Sequence, residues 1–167
     1  MFVSPVRDIP NISMHVKERA LLNRLLETFP FTPTFEQEKL LKEVTQFTLF
    51  SDRFELFLLK GFAGTGKTTV ISNLVNNLSS AGFSSVLLAP TGRAAKVMSR
   101  YSKRPAHTVH RKIYFATRNP DGSVKLVLQK NKHRNTIFIA DEASMIPDRD
   151  SDLRTIESRS LLEDLLR

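Results

Sequence analysis

The sequence contains no cysteine, which excludes a disulfide framework and any metal site built on thiolates. It also lacks an apolar run approaching the roughly 20 residues that a membrane-spanning helix needs. The first ten residues have no apolar core of the kind found in secretory signals. Its 41% hydrophobic content argues against disorder. Composition therefore predicts a soluble, cytoplasmic protein with a folded core and no membrane partner.

Positive charge is concentrated in one part of the chain. Residues 93–134 contain twelve lysines and arginines against one acid, Asp121, a net charge of +11. Such a block repels itself unless an anion binds nearby, and nucleic-acid phosphate is the partner that the pattern favours, because lysine and arginine release its condensed counterions. The alternative is a solvated basic surface without a ligand.

Glycine is scarce, with six in the chain, and three of them lie at positions 61, 64 and 66. The stretch from Gly61 to Thr68 fits G-x-x-x-x-G-K-[ST], between an apolar run at 54–59 and an amphipathic segment at 70–78, which predict a strand and a helix. Glycine lets the backbone come close to a ligand, and the amides of such a loop bind phosphate oxygens at the positive end of the helix. This pattern predicts a nucleoside-triphosphate site rather than a glycine-rich surface turn.

The loop residues have separate predicted roles. Lys67 is expected to place its charge against the β- and γ-phosphates, and the Thr68 hydroxyl to bind Mg²⁺. The expected ligands are a nucleoside triphosphate and Mg²⁺. The residues expected to hold them are Gly61, Ala63, Gly64, Thr65, Gly66, Lys67, Thr68 and Thr69.

Two helices are predicted before the loop. The apolar stripe of residues 21–29 is typical of a packing helix. Thr34-x-x-Gln37 is a capping box that begins the second helix. Gln37 has two possible roles, as a cap on the Thr34 amide or as a reader of adenine through its donor and acceptor. The sequence by itself favours the cap.

Residues 85–89 are predicted to form a buried strand that leads into a new helix at about Thr91. Thr91, Arg93 and Lys96 at the start of that helix form a second candidate phosphate site. A plain strand-to-helix turn explains these residues equally well if they are considered alone. The basic block that begins here favours the phosphate site. His107 and His110 have no companions at metal-ligand spacing, so a histidine metal site is not expected.

A β-hairpin is predicted further along the chain. Two β-prone runs, 113–117 and 124–129, flank a turn that contains Pro-Asp-Gly. The hairpin either extends the main sheet or projects and contacts nucleic acid through its aromatic and basic side chains.

The apolar run 136–140 is predicted to be a strand that ends in Asp141 and Glu142. After a phosphate loop, such a pair is expected to hold Mg²⁺ through Asp141 and to orient and deprotonate the attacking water through Glu142. Catalysis is therefore assigned to Lys67, Asp141 and Glu142. A last helix is predicted over 153–166, with four leucines on one face.

Four stretches together resemble the RecD-like branch of superfamily-one DNA helicases: GFAGTGKTT, LLAPTGRAAKVM, HTVHR and ADEASM. The resemblance spans roughly residues 35–146. It implies an α/β, RecA-like P-loop NTPase domain with a parallel sheet flanked by helices. It also implies that Gln37 reads adenine and that residues 112–130 are the inserted hairpin called the pin. The residues that it places against single-stranded DNA are Thr91, Gly92, Arg93, Lys96, His110 and Arg111.

The resemblance also implies how the chain is organised. Residues 1–33 are expected to be a helical lead-in, and residues 34–167 a first RecA-like domain that is incomplete at its C-terminus. The rest of an ATP-dependent helicase, with a second RecA-like domain, is the expected partner. In the family a later strand separates the Asp-Glu strand from the P-loop strand, so residues 56–60 and 136–140 are expected to be exposed along one edge or paired differently.

Two other functions remain open from the sequence. One is a module that binds nucleotide or DNA without hydrolysis. The other is a P-loop kinase acting on an anionic small molecule, although no helical lid candidate is present.

Overall fold

The computed structural model describes residues 12–51, 55–147 and 160–166. The chain divides into two compact units, Met1–Gly82 (unit 1) and Phe83–Arg167 (unit 2). Among the described residues, no helix is both long and apolar enough to cross a membrane.

Unit 1 is helical. Its elements are α1 (Ile12–Glu27), α2 (Phe35–Phe50), α3 (Lys67–Asn77) and a 3₁₀ turn (Leu78–Ala81). Helix α1 packs against both α2 and α3. Leu21 and Leu25 are spaced four residues apart and are fully or almost fully buried, because that spacing places them on one face of a helix. The predicted packing helix is therefore confirmed.

Buried amides fasten α3 to α1. The Asn73 side chain donates to the Leu25 carbonyl at 2.7 Å and accepts from the Thr28 hydroxyl at 2.8 Å. The Arg24 guanidinium donates to the Asn77 side-chain oxygen at 3.0 Å. Since buried polar groups must be hydrogen-bonded, these contacts fix α3, whose first residue is Lys67, against α1.

The start of α2 has the predicted capping box. The Thr34 amide donates to Gln37 Oε1 at 3.0 Å, and the Gln37 amide donates to Thr34 Oγ1 at 3.3 Å. Two amides at the helix start are thereby satisfied.

The apolar run 54–59 was predicted to be a strand; its first residue lies outside the described part of the chain, and residues 55–59 do not form a strand. Leu56 and Leu58 are 72% and 62% exposed, while the Phe57 ring lies 5.4 Å from the Phe47 ring between centroids. Within the described residues, neither sheet includes this segment. A strand needs backbone hydrogen bonds from a neighbour, and an apolar sequence without one stays irregular.

Unit 2 is an α/β structure. Its elements are β1 (Ser84–Ala89), α4 (Gly92–Ser102), β2 (Ala106–Thr108), α5 (Val109–Ile113), β3 (Tyr114–Arg118), β4 (Val124–Leu128), β5 (Thr136–Ala140), a 3₁₀ turn (Ala143–Met145) and α6 (Leu161–Leu165). Strands β2, β1 and β5 form a parallel sheet in that order, with Leu87 of β1 opposite Ala106 and Ile139. Helix α4 packs on β1 and β2. The predicted α/β class is confirmed.

Strand β5 lies at an edge of the described parallel sheet. It pairs with β1 from Ser84 opposite Thr136 to Leu88 opposite Ala140, and its other edge has no partner among the residues described here. Phe138, at the middle of β5, is 37% exposed. This arrangement agrees with the expected exposure along one edge.

The hairpin is confirmed and does not extend the parallel sheet. Strands β3 and β4 pair antiparallel in a sheet of their own, with Tyr114 opposite Leu128 and Arg118 opposite Val124. Gly122 in the turn has φ +83°, a left-handed conformation that favours glycine. The base of the hairpin joins the core of unit 2 through the buried Tyr114, while Val124 at its far end is exposed.

The last helix differs from its prediction. Residues 161–165 are helical, whereas residues 153–159 lie outside the described part of the chain. Leu161 is fully buried, but Leu162 and Leu166 are exposed, so the four leucines do not share one face. Neighbouring residues project about 100° apart around a helix, which explains why Leu161 and Leu165 belong to the core cluster and the other two do not.

Candidate nucleotide-binding and nucleic-acid sites

The glycine loop of unit 1 has the backbone that the motif requires. Gly64 and Gly66 have φ +78° and +84°, in the left-handed region. Gly66 immediately precedes α3 as its N-cap. The left-handed φ disfavours a side chain at Gly66, and an added Cβ would lie 2.5 Å from Gln37 Nε2, so the Gln37 side chain would also have to move. The loop therefore ends at the positive end of a helix, where anions bind.

The Lys67 side chain folds back over this loop. Its ammonium donates to the Gly61 carbonyl at 2.6 Å and to the Phe62 carbonyl at 2.7 Å. The Thr65 hydroxyl also donates to the Phe62 carbonyl, at 2.9 Å. These contacts hold the positive charge of Lys67 beside the loop backbone, where its mobile amine is able to exchange carbonyl oxygens for phosphate oxygens.

Two threonines follow Lys67 in the first turn of α3. Thr68 is exposed and Thr69 is half-buried. The exposed hydroxyl of Thr68 and the carboxylate of Asp141 are hard oxygen donors of the type that Mg²⁺ prefers. Mg²⁺ usually keeps several waters and takes only one or two protein ligands, so each of these oxygens taken by itself is chemically suited to the ion.

Gln37 contacts the loop as well as capping α2. Its Nε2 donates to the Thr65 carbonyl at 3.4 Å, while its Oε1 accepts from the Thr34 amide at 3.0 Å. The cap favoured by the sequence is thus confirmed, and the side chain also lies beside the phosphate loop. The loop contact joins residues 28 positions apart, and no local pattern marks it. Adenine recognition by Gln37 stays a prediction.

Asp141 follows the last residue of β5 in unit 2. Its amide donates to the Leu88 carbonyl of β1 at 3.0 Å. This bond extends the hydrogen bonding between β5 and β1 one residue beyond the end of β5. Its Oδ1 accepts from the Glu142 amide at 2.9 Å, and its Oδ2 accepts from the Tyr101 hydroxyl at 2.7 Å. The carboxylate is therefore held at both oxygens.

Glu142 is exposed and has φ +52°. A left-handed conformation at a residue other than glycine costs on the order of 1 kcal/mol. Such strain persists where the surrounding structure enforces it, and it clusters at functional positions.

Tyr101 was not predicted from the sequence. Burial raises the pKa of its hydroxyl above the ordinary value, and the hydrogen bond to Asp141 and the charges of Asp141 and Glu142 raise the pKa further. The hydroxyl therefore remains a protonated donor. Tyr101 and Asp141 are 40 positions apart, so only the fold brings them together.

A cleft of about 360 Å³ lies in unit 2 beside α4. It is lined by Gly92, Ala95, Lys96, Ser99, Arg100, Ala106, His107, Thr108 and Arg111. Three of these side chains are cationic, and none of the nine is acidic. Gly92, Lys96 and Arg111 were predicted to contact DNA, and the cleft brings them together. Arg100 was missed, although it lies four residues after Lys96 and therefore on the same helix face.

The other predicted DNA contacts lie outside the cleft lining. Thr91 caps α4, accepting from the Ala94 amide at 3.2 Å, and Arg93 is exposed. His110 is half-buried, with its ring 6.0 Å from the Tyr114 ring between centroids.

These observations define an α/β domain of the P-loop NTPase class. A family model described as an AAA domain matches residues 51–160, and the chain belongs to this family. The glycine loop and the Asp-Glu pair both fall within the matched residues. The loop belongs to unit 1 and the Asp-Glu pair to unit 2, so their joint action on one ion stays a prediction.

Two curated relatives are DNA helicases. The chain is 34% identical over 93 residues to the ATP-dependent RecD2 DNA helicase of Deinococcus radiodurans, covering 56% of this chain and 12% of that protein. It is also 34% identical over 93 residues to the ATP-dependent DNA helicase dda of Enterobacteria phage T4, covering 52% of this chain and 20% of that protein. The resemblance to superfamily-one helicases is confirmed. The matched part spans at most a fifth of either relative.

Proposed function

We propose that this chain is the ATP-binding and single-stranded-DNA-binding motor domain of an ATP-dependent DNA helicase. The observation that carries the proposal is the glycine loop, with left-handed Gly64 and Gly66 before α3 and the Lys67 ammonium folded beside it. The helicase relatives support the same conclusion. Unwinding as a whole involves a second RecA-like domain as partner, and a cytoplasmic location goes with this proposal.

ATP binds with its phosphates on the amides of the loop. Lys67 exchanges the carbonyls of Gly61 and Phe62 for oxygens of the β- and γ-phosphates, which are stronger acceptors because they are charged. Gln37 takes the adenine by releasing its contact with the Thr65 carbonyl. That contact, at 3.4 Å, is long for a hydrogen bond and costs little to give up.

Thr68 and Asp141 would hold Mg²⁺, and the bound ion would supply positive charge against the phosphates. Glu142 is exposed and acts as the group that orients the attacking water and accepts its proton.

Single-stranded DNA binds unit 2 through its phosphates. The cleft beside α4 presents Lys96, Arg100 and Arg111 without an acidic lining residue, and the exposed Arg93 lies on the same helix. Contacts to phosphate position a strand without reading its sequence. The proposal therefore implies salt-dependent binding with little base preference. In this proposal the hairpin β3–β4 acts as the wedge that separates the two strands of the DNA.

Titration of a fluorescent ATP analogue with Mg²⁺ tests the nucleotide site. Lys67→Ala removes a charge-assisted contact worth about 1.5–3 kcal/mol, so affinity is expected to fall roughly 10- to 150-fold. Lys42→Ala is the matched control, because it removes one exposed lysine from α2 of the same unit. Equal affinity of wild type and Lys67→Ala would contradict the site.

A further inference from the structure

Tyr101 and Asp141 meet across unit 2. Tyr101 lies in the last turns of α4, and its hydroxyl donates to Asp141 Oδ2 at 2.7 Å. Both side chains are half-buried. A hydroxyl that donates to an ionised carboxylate at this distance forms a charge-assisted bond, roughly twice as strong as one between neutral groups.

This bond complements a second one on the other oxygen. Asp141 Oδ1 accepts from the Glu142 amide at 2.9 Å. With one donor on each oxygen, the carboxylate plane cannot rotate without breaking a bond. A carboxylate has about four acceptor positions, so each oxygen keeps one for a water bound to a metal ion.

The phenol is a suitable group for this task. A tyrosine side chain has only two main torsions, so its hydroxyl is placed at low entropic cost. Partners that orient the ligands of a metal ion determine how well those ligands bind it.

We propose that Tyr101 is a positioning residue for Asp141, holding its carboxylate in the orientation that binds Mg²⁺. The inference rests on the proposed function, in which Asp141 serves the metal. None of the four helicase-like stretches includes Tyr101.

The test compares two matched variants. Tyr101→Phe removes only the hydroxyl that contacts Asp141. Tyr114→Phe removes the hydroxyl that donates to Asp164 Oδ2 at 2.6 Å, another tyrosine–carboxylate bond of unit 2. For each, binding of a fluorescent ATP analogue is measured as a function of Mg²⁺ concentration and again in EDTA.

Tyr101→Phe is expected to raise the half-saturating Mg²⁺ concentration about 10-fold and to leave the affinity in EDTA unchanged. Tyr114→Phe is expected to change neither. Adding Tyr101→Phe to Asp141→Asn is expected to cause no further change in the Mg²⁺ dependence, because both substitutions act on the same hydrogen-bonded pair. An unchanged Mg²⁺ dependence in Tyr101→Phe, or an equal shift in both tyrosine variants, overturns the inference. A wild type that binds no nucleotide overturns the proposed function as well, and the two failures are thus distinguishable.

A second measurement does not depend on the stability of Tyr101→Phe. The chain has two tyrosines and no tryptophan, so Tyr114→Phe leaves Tyr101 as the single tyrosine emitter. The carboxylate that accepts its hydrogen bond is expected to quench this emission by accepting the phenol proton in the excited state. The emission is expected to rise when Mg²⁺ is added with a non-hydrolysable ATP analogue, because a cation at Asp141 makes the carboxylate a weaker proton acceptor. Emission that does not respond to Mg²⁺ contradicts the inference.

Discussion

Gly66 is constrained in two independent ways, by its backbone and by its neighbour. Its φ of +84° favours glycine, and a Cβ would lie 2.5 Å from the Gln37 amide nitrogen. Gly122 has nearly the same φ, +83°, but in the described part of the chain nothing lies within 4 Å of a Cβ built there. Comparing substitutions at the two glycines therefore separates the energetic cost of a left-handed alanine from the cost of the contact with Gln37.

We expect Gly66→Ala to destabilise the fold more than Gly122→Ala. Each substitution destabilises the fold by about 1–2 kcal/mol, because alanine must adopt a left-handed conformation. Only Gly66→Ala also displaces Gln37 from its contacts with Thr34 and Thr65. In a Gln37→Ala background the extra cost of Gly66→Ala should disappear. Urea unfolding measures all four variants, and a Gly66→Ala protein as stable as wild type would contradict this account.

At the scale of single residues, the sequence predicts a position well when its chemistry is local. The capping box at Thr34 and the turn glycine Gly122 lie within motifs of a few residues and were found. Tyr101 was not, because its partner is 40 positions away and no motif describes the pair.

At the scale of elements, the contrast between local and distant partners explains one correct prediction and one wrong one. The hairpin β3–β4 was predicted because Pro-Asp-Gly specifies its turn and its two strands pair with each other. Residues 54–59 were expected to be a strand because they are apolar. A strand also needs a neighbouring strand, and the described sheets supply none for residues 55–59.

The cleft of unit 2 gives the element-scale prediction. Replacing Lys96 and Arg111 with alanine is expected to flatten the dependence of single-stranded DNA affinity on salt. Each lost phosphate contact lowers the log–log slope by about 0.7, so the pair should lower it by about 1.4.

The control is the pair Lys130 and Lys132, which are exposed cations of the same basic block outside the cleft lining. Their replacement should leave the slope nearly unchanged. If the control pair flattens the slope and the cleft pair does not, DNA binds elsewhere on unit 2.

At the scale of the whole molecule, the phosphate loop and the excess positive charge lie in different units. Residues 1–82 contain nine basic and eight acidic residues, whereas residues 83–167 contain sixteen and nine. Unit 1 is thus nearly neutral and carries the phosphate loop, and unit 2 carries the excess positive charge. Local motifs and charge runs were enough to locate the glycine loop and the basic block in the sequence, whereas the division into two units at residue 82 and the pairing of distant residues within each unit depend on the fold.

The central claim is that the loop of unit 1 binds the phosphates of ATP. The most direct test is to add ATP and Mg²⁺ to the ¹⁵N-labelled chain and record amide shifts by NMR. We predict that the largest changes fall on residues 61–69, with Gly64 and Gly66 among them, and that Lys67→Ala strongly reduces these changes. Shifts confined to residues 83–167, with the loop amides unaffected, would contradict the account.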